Sequence, residues 1–510
     1  MTGREWWNGR WTLALAALAT AVPLLWPRIP PLADVPGHMA SYHVSTALYH
    51  SAALQRFFDF HWQLIGNLGV DLGVVPVSAL VGVELATKLL VLAIPVLTAL
   101  GLLLIAREAH DRLPATALAA LPLVYNHPFI FGFINYSLSA ALALLGLALW
   151  LRWPAGRRPL VRAATFAGVA AVVWLAHAIG WVMLGAMCGA AELAARRAGG
   201  ATWPRALIGT VVTCLSLLAP VVLIALGPHA DHSSSEGWLA WHDLARGGIE
   251  MLRDRWLGWD LGSTAVLLAL VAAALVRLGG LRLASPAIWP ALALAALFLL
   301  TPLQINGAMF VNTRIAPYAL ALAIVAIDAS ALSSSRRAAL ALAAGLFCAG
   351  RLLGNTVSFG LYDASYTREL AALDHLPRGA AVLTLTEMPC RKWYKKWGEH
   401  RLEHLAGMAT VRRDAFVNVL WDIKGLHLLS NRMDKAGWFR SDPSEFVSSV
   451  EHCPFYGTPR SALAGAPLGM FTHLWLIGVP PGQRPHDPRF QPVWAQGDSI
   501  LYRIETGGVQ

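Results

Sequence analysis

Carboxylates and imidazoles placed beside long apolar runs are the groups in this 510-residue sequence whose types and spacing could do chemistry. An ionisable group next to hydrocarbon is costly, so each raises a functional question. The first lies in Ala33-Asp34-Val35-Pro36-Gly37-His38, directly after an apolar run at 11–28. A carboxylate at Asp34 could take a proton from a substrate hydroxyl. His38 follows four residues later and faces the same way if the segment is helical. The same spacing also reads as a helix N-cap, Asp34, ahead of a proline in the first turn. The two roles are compatible.

Four further groups share this setting. Asn67-Leu68-Gly69-Val70-Asp71-Leu72 supplies a second carboxylate, Asp71. Asp34 and Asp71 could share a divalent cation such as Mg²⁺ or Mn²⁺, or divide acid and base duties. Turn chemistry by Asn and Asp around glycine is the alternative reading of the motif. Tyr125-Asn126-His127-Pro128 and Gly132-Phe133-Ile134-Asn135-Tyr136 bracket a short polar turn. Asn126, His127, Asn135 and Tyr136 could bind substrate hydroxyls there, or satisfy backbone groups. His177 sits in a turn between apolar runs, as a site residue or a hydrogen-bonded structural one. Arg314 is the single cation of its short loop and suits a phosphate, which guanidinium binds bidentately; an interface anchor is the alternative.

These groups need elements to hold them, and composition says what kind. The chain is 56% hydrophobic and 14% charged, against about 25% charged in soluble domains. Apolar runs fall at 11–28, 81–105, 115–126, 137–152, 162–177, 180–196, 206–227, 262–277, 287–303, 316–332 and 337–354. Runs near 20 residues can cross a ~30 Å hydrocarbon core. The pattern predicts a polytopic α-helical membrane protein with about eleven transmembrane helices over 1–355, and a soluble α/β domain over 356–510. The first run, preceded by Arg4 and Arg10, reads as a retained helix, because Pro27-Arg28-Ile29-Pro30 is a poor cleavage site.

Charge sets the predicted orientation. Alternate loops carry fifteen arginines on one side and six on the other, namely Arg28, Arg56, Arg246, Arg253, Arg255 and Arg314. The positive-inside rule then puts the N-terminus in the cytoplasm and, after an odd number of crossings, the C-terminal domain outside. The net charge of +10 therefore reflects topology and not nucleic-acid binding. The first outside loop, 29–80, is long, and the periodicity of Met39–Phe60 predicts a helix along the membrane surface. Trp238, Trp241, Trp256 and Trp259 read as interface anchors, with sugar stacking as the alternative. In the soluble domain, Ala380–Thr386, Thr472–Val479 and Ser499–Ile504 read as strands, and 362–376 and 443–451 as helices. Cys390 and Cys453 are disulfide candidates in an oxidising compartment.

At these residues the chain resembles the GT-C superfamily of membrane glycosyltransferases, which use polyprenyl-phosphate-linked sugars. An acidic residue in the first outside loop, many spans and a C-terminal outside domain carry the resemblance. More narrowly, it is similar to a bacterial subfamily sharing D-x-P-x-H (Asp34, Pro36, His38), N-L-G-x-D-L (Asn67 to Leu72) and Y-N…G-F-x-N-Y (Tyr125 to Tyr136). That subfamily also shares a stretch like His404-Leu405…Val411-Arg412-Arg413-Asp414-Ala415-Phe416. The resemblance implies inverting transfer to an envelope glycan, lipid or protein at the outer face of the inner membrane. Asp34 would be the base, and Arg314, His38, His177 or a metal would meet the charge of the departing polyprenyl phosphate. The chain departs from the commoner Asp-Glu or Asp-x-Asp pair, because Val35 and Pro36 follow Asp34. A metal, if used, would fall to Asp34 and Asp71.

Walker A, HExxH, CxxC and G-x-S-x-G motifs are absent from the sequence. A lipid-linked-sugar flippase would need charges within spans, and the candidates Lys88, Glu192 and Asp328 fall near span ends. A non-catalytic partner of a polysaccharide assembly system is the third reading.

Overall fold

The computed structural model describes residues 5–228, 235–238, 241–284, 286–305, 308–390, 397–423 and 425–505. Each of the eleven apolar runs coincides with helix. Among the described residues, six helices are long and apolar enough to cross a bilayer: Val83–His110, Ile134–Arg152, Pro159–Ala176, Ala178–Ala198, Leu257–Leu275 and Ser334–His375. A seventh span results if Trp203–Leu218 and Pro220–Leu226, bent by 45°, count as one. The bend falls at Pro220, whose ring cannot continue the hydrogen-bond ladder. The other four runs form shorter apolar helices, Arg10–Ala19, Ala117–Phe131, Ile288–Leu300 and Ala316–Val325. At 1.5 Å per residue, ten to fifteen helical residues reach about 15–22 Å, so these four are shorter than a full crossing.

The chain divides into two compact units: Met1–Trp26, Leu64–Val70 and Leu89–Ser358 form the first, and Pro27–Gln63, Asp71–Lys88 and Phe359–Gln510 the second. In the first unit, small residues let helices touch. A Cβ on Gly180 would lie 2.0 Å from Ser139 Oγ, and one on Gly101 2.7 Å from Leu144 Cβ. Such contacts are how helices pack where no hydrophobic drive separates protein from lipid. A buried ion pair also crosses this unit. Arg351 Nη1 donates to Asp260 Oδ1 at 2.8 Å, and the two residues are 2% and 1% exposed. Asp260 Oδ2 accepts from the Asp254 and Arg255 amides. Arg351, inside the predicted span 337–354, thus escaped the sequence reading, and its partner Asp260 falls just ahead of the span at 262–277.

The second unit is α/β. Its sheet comprises β1 (Ala381–Glu387), β2 (Phe416–Val417), β3 (Phe446–Val447), β4 (His473–Ile477), β5 (Phe490–Gln496) and β6 (Ser499–Ile504). The order is β5-β6-β4-β1-β2, with β3 also paired to β1. β1 runs parallel to β4, β2 and β3, whereas β6 is antiparallel to β4 and β5. The three strands read from sequence are present. Residues 443–451 are not helical: Phe446 and Val447 pair with Thr386 and Glu387, and this non-local pairing overrides the local pattern.

Residues of the first long loop are built into this second unit. Met39–Phe60 is not one helix along a surface. Helix Val35–Ala47 is followed by short helices and by strand Phe58–Phe60, which pairs antiparallel with Leu429–Asn431. Val35–Ala47 buries Met39, Ala40, Tyr42 and Val44 against Gly407–Arg413 and its surroundings. The approach is close at two glycines. A Cβ on Gly37 would lie 2.9 Å from the Trp421 ring, and one on Gly407 2.8 Å from the Pro36 carbonyl oxygen. The stretch Arg412-Arg413-Asp414 ties the unit together. Arg412 forms a bidentate pair with Glu84, and Asp414 accepts from His43, Ser51 and Arg378. Cys390 and Cys453 are disulfide-bonded, with Cα atoms 5.8 Å apart.

Candidate active site

Asp34 occupies the N-cap position of Val35–Ala47, with Pro36 in the first turn, yet its side chain makes no capping hydrogen bond. The carboxylate is 5% exposed, and its Oδ1 faces His404 Nε2 at 3.6 Å. A neighbouring cation fixes the local backbone: Arg401, 1% exposed, donates to the Pro31 carbonyl at 2.6 Å. Its guanidinium lies 4.0 Å from the Tyr362 ring centroid and 4.9 Å from that of Phe359. Tyr366 and Tyr362 in turn donate to the Arg401 and Glu399 carbonyls, so residues 399–401 are held from both sides.

His404 is positioned by the sheet. Its Nδ1 lies 2.9 Å from the Val419 carbonyl. Asn418 anchors that strand end by accepting from Thr384 N–H and donating to Thr384 O and Ser444 Oγ. The same asparagine therefore sets both the 419–421 segment and the 442–445 segment. Trp421 then packs between imidazoles, with its centroid 4.5 Å from His404, 5.0 Å from His38 and 5.6 Å from His427. His38 keeps a partly exposed edge, but the protein packed around it lowers its pKa to about 3, with His427 and His404 adding to the effect. It is neutral at pH 7 and offers a hydrogen bond, not a charge. Burial also lowers the His404 pKa, partly opposed by Asp442 and the Val419 carbonyl.

Two further carboxylates lie beside His404. Asp442 Oδ1 is 4.0 Å from Nε2, and Glu445 Oε1 is 3.9 Å from Nδ1. Glu445 is fully buried, and burial followed by the Asp442 charge pushes its pKa well above the ordinary carboxylate value. Among the described residues, His404, Asp442 and Glu445 form the group with metal-ligand spacing; Asp71 is outside it. Asp71 lies in the first turn of Gly69–Val81, and its charge adds to burial in raising the Tyr42 pKa.

The remaining sequence candidates gather in the first unit, where most have structural partners. Asn135 Oδ1 accepts from Val70 N–H, and its Nδ2 donates to Asn67 O and Oδ1. Asn126 caps helix His127–Phe131 by accepting from Phe129 N–H, and the His127 ring lies 6.0 Å from Phe131. His177 caps the next helix through Nδ1, which accepts from Ile179 N–H, and stands edge-on to Tyr136 at 5.6 Å. Tyr136 donates to the Arg314 carbonyl. The buried Arg314 guanidinium donates to Met309 O and lies 3.7 Å from the Phe133 centroid.

Compared with solved structures, the chain superposes on ArnT from Cupriavidus metallidurans bound to undecaprenyl phosphate, with a TM-score of 0.51 over 98% of both chains at 13% identity. The chain shares the fold of that protein. No protein-family model matches its sequence, and no curated protein does. Within this fold, the sequence pointed to Asp34 and His38 but missed Arg401, Trp421, Asp442 and Glu445. His404 had stood inside a quoted motif without a role. Asp442-Pro443-Ser444-Glu445, two carboxylates three residues apart, was the visible signal.

Proposed function

We propose that the chain is an inverting glycosyltransferase that moves a sugar from a polyprenyl-phosphate donor to an envelope acceptor. The observation that carries this reading is Asp34: a buried carboxylate at an N-cap position that does not cap, in a chain with the ArnT fold. The acceptor hydroxyl gives its proton to Asp34 as its oxygen attacks the anomeric carbon. The bond from that carbon to the phosphate oxygen breaks, and polyprenyl phosphate leaves with the electron pair. Attack opposite the leaving group inverts the configuration. Arg401 is the buried cation assigned to the phosphate, and His38 acts as a neutral hydrogen-bond partner.

The arginine asymmetry supports a cytoplasmic N-terminus and an extracytoplasmic C-terminal domain in a multi-pass inner-membrane protein. The Cys390–Cys453 bond fits an oxidising compartment. The flippase reading gains nothing from Asp260 and Arg351, since both are fixed by backbone partners as well as by each other. The test uses full-length protein in nanodiscs with a panel of undecaprenyl-phosphate hexoses and pentoses and isolated envelope as acceptor. Asp34→Asn should slow transfer by about 10²–10⁴-fold while undecaprenyl phosphate still binds. Full activity in that variant would overturn the assignment.

A further inference from the structure

We propose that His404 and Asp442, with Asp34 and Glu445 beside them, bind one divalent transition-metal cation of the Zn²⁺ or Mn²⁺ class. This site is distinct from an Asp34–Asp71 pair and does not depend on the sugar-transfer reading. Its core is a conflict of lone pairs. The Val419 carbonyl can only accept, so His404 Nδ1 at 2.9 Å carries the ring proton. Nε2 therefore presents a lone pair. It faces Asp34 Oδ1 at 3.6 Å and Asp442 Oδ1 at 4.0 Å. Both distances are too long for hydrogen bonds. They suit ligands arranged around one ion: bonds of 2.0–2.2 Å set ligand atoms roughly 3.0–3.6 Å apart, and modest side-chain movement closes the rest.

Glu445 supplies the independent observation. It is 0% exposed, and no described residue donates a hydrogen bond of good geometry to either carboxylate oxygen. Its neighbour is another carboxyl group, Asp442. One ligand atom each from His404, Asp442 and Glu445 lies within 4.8 Å of the others. Beyond its own amide and the Asp442 carboxyl group, Glu445 has few polar contacts, and a buried carboxylate so weakly hydrogen-bonded is unfavourable unless a cation or a proton compensates it.

The surroundings match a metal centre in a further respect. A metal-bound histidine commonly donates its other ring N–H to a backbone carbonyl, which fixes the tautomer, and Val419 does this for His404. Asn418 holds Ser444, between the two acidic residues, to β1, so the carboxylates are presented on a fixed segment. One imidazole among carboxylates is softer than an all-oxygen Mg²⁺ or Ca²⁺ cage and harder than a thiolate site. Asp34 can turn one oxygen toward the cation and keep the other for proton transfer.

The test uses chelator-treated full-length protein in detergent, titrated with Zn²⁺ or Mn²⁺ alone and followed by calorimetry, elemental analysis and thermal unfolding. One equivalent should bind and raise the unfolding temperature. His404→Ala and Asp442→Asn should each weaken binding at least about tenfold and abolish the thermal shift; His486→Ala, an exposed histidine elsewhere, should change neither. If His404→Ala fails to fold, the near-isosteric Asp442→Asn and Glu445→Gln carry the test. No bound equivalent, or binding untouched by Asp442→Asn and Glu445→Gln, would overturn the proposal in favour of a shared proton. Metal binding without sugar transfer would sink only the glycosyltransferase reading, and transfer by a protein that takes up no metal on titration would sink only this one.

Discussion

Asp414→Ala should destabilise the unit that carries Asp34, and the size of the effect can be worked from its partners. Asp414 ends helix Gly407–Arg413 in a left-handed conformation, φ 51° and ψ 31°. Its carboxylate accepts from His43 Nε2 at 2.8 Å, Ser51 Oγ at 3.2 Å and Arg378 Nη2 at 2.6 Å. The bonds from His43 and Ser51 are worth about 1 kcal/mol each. Arg378 is largely exposed, so its pair adds about half as much. Alanine in the left-handed region costs about 1 kcal/mol more. The loss should be about 3.5 kcal/mol, and about half that for Asp414→Asn, which tolerates the backbone. Thermal or denaturant unfolding of the full chain in detergent reads both. A double-mutant cycle with His43→Ala should give a coupling of about 1 kcal/mol. Coupling indistinguishable from zero would refute the tie between the first long loop and the C-terminal residues. The pH dependence has a definite sign. Burial raises the Asp414 pKa, but the hydrogen bonds from His43 and Arg378 outweigh it and hold the group below its ordinary value. Its contribution is therefore complete above the ordinary carboxylate pKa and is lost as pH falls through the lowered folded value. Wild type and Asp414→Asn should differ by a constant amount at neutral pH and converge in strong acid.

Arg351→Met should cost about 3 kcal/mol or more by leaving buried Asp260 without its ion-pair partner, and Arg351→Met combined with Asp260→Asn should recover part of that loss; unfolding in detergent distinguishes the two. Asn135→Ala should cost about 2 kcal/mol and speed hydrogen exchange at the Val70 amide, because Asn135 accepts from that group and binds Asn67; unchanged exchange would contradict the assignment. Replacing Cys390 and Cys453 by serine should lower stability by about 2–4 kcal/mol, since the bond spans 63 residues and its loss frees the unfolded chain; reduction of the wild type should reproduce the effect.

Much of the helical framework was visible in the sequence because hydrocarbon demands long apolar runs, and all eleven runs are helical. Their lengths were less visible. Pro220 and the short segments near 117–131 and 288–300 break or shorten helices in ways hydropathy windows smooth over. Strands β1, β4 and β6 were readable because central strands covered on both faces are continuous apolar runs. Phe446–Val447 was not, because two residues gain their strand character only from β1. The site divides the same way. Asp34 stood out as a carboxylate at the end of an apolar run. Its partners His404, Asp442 and Glu445 lie some 370–411 positions further on, and only the parallel sheet and the Asn418 contacts place them around one imidazole. Asn126 and His177 carried two readings, as site residues or as partners of backbone groups, and both cap helices. The N-cap reading of Asp34 placed the residue correctly and its side chain incorrectly, since backbone position alone does not say where a carboxylate finds its partner.

The central claim, that Asp34 is the base of a sugar transfer, is tested most directly by single-turnover transfer from a polyprenyl-phosphate sugar with wild-type and Asp34→Asn protein under matched donor binding. The account predicts a fall of about 10²-fold or more in the transfer rate with donor affinity unchanged. Transfer at the wild-type rate by Asp34→Asn would contradict it.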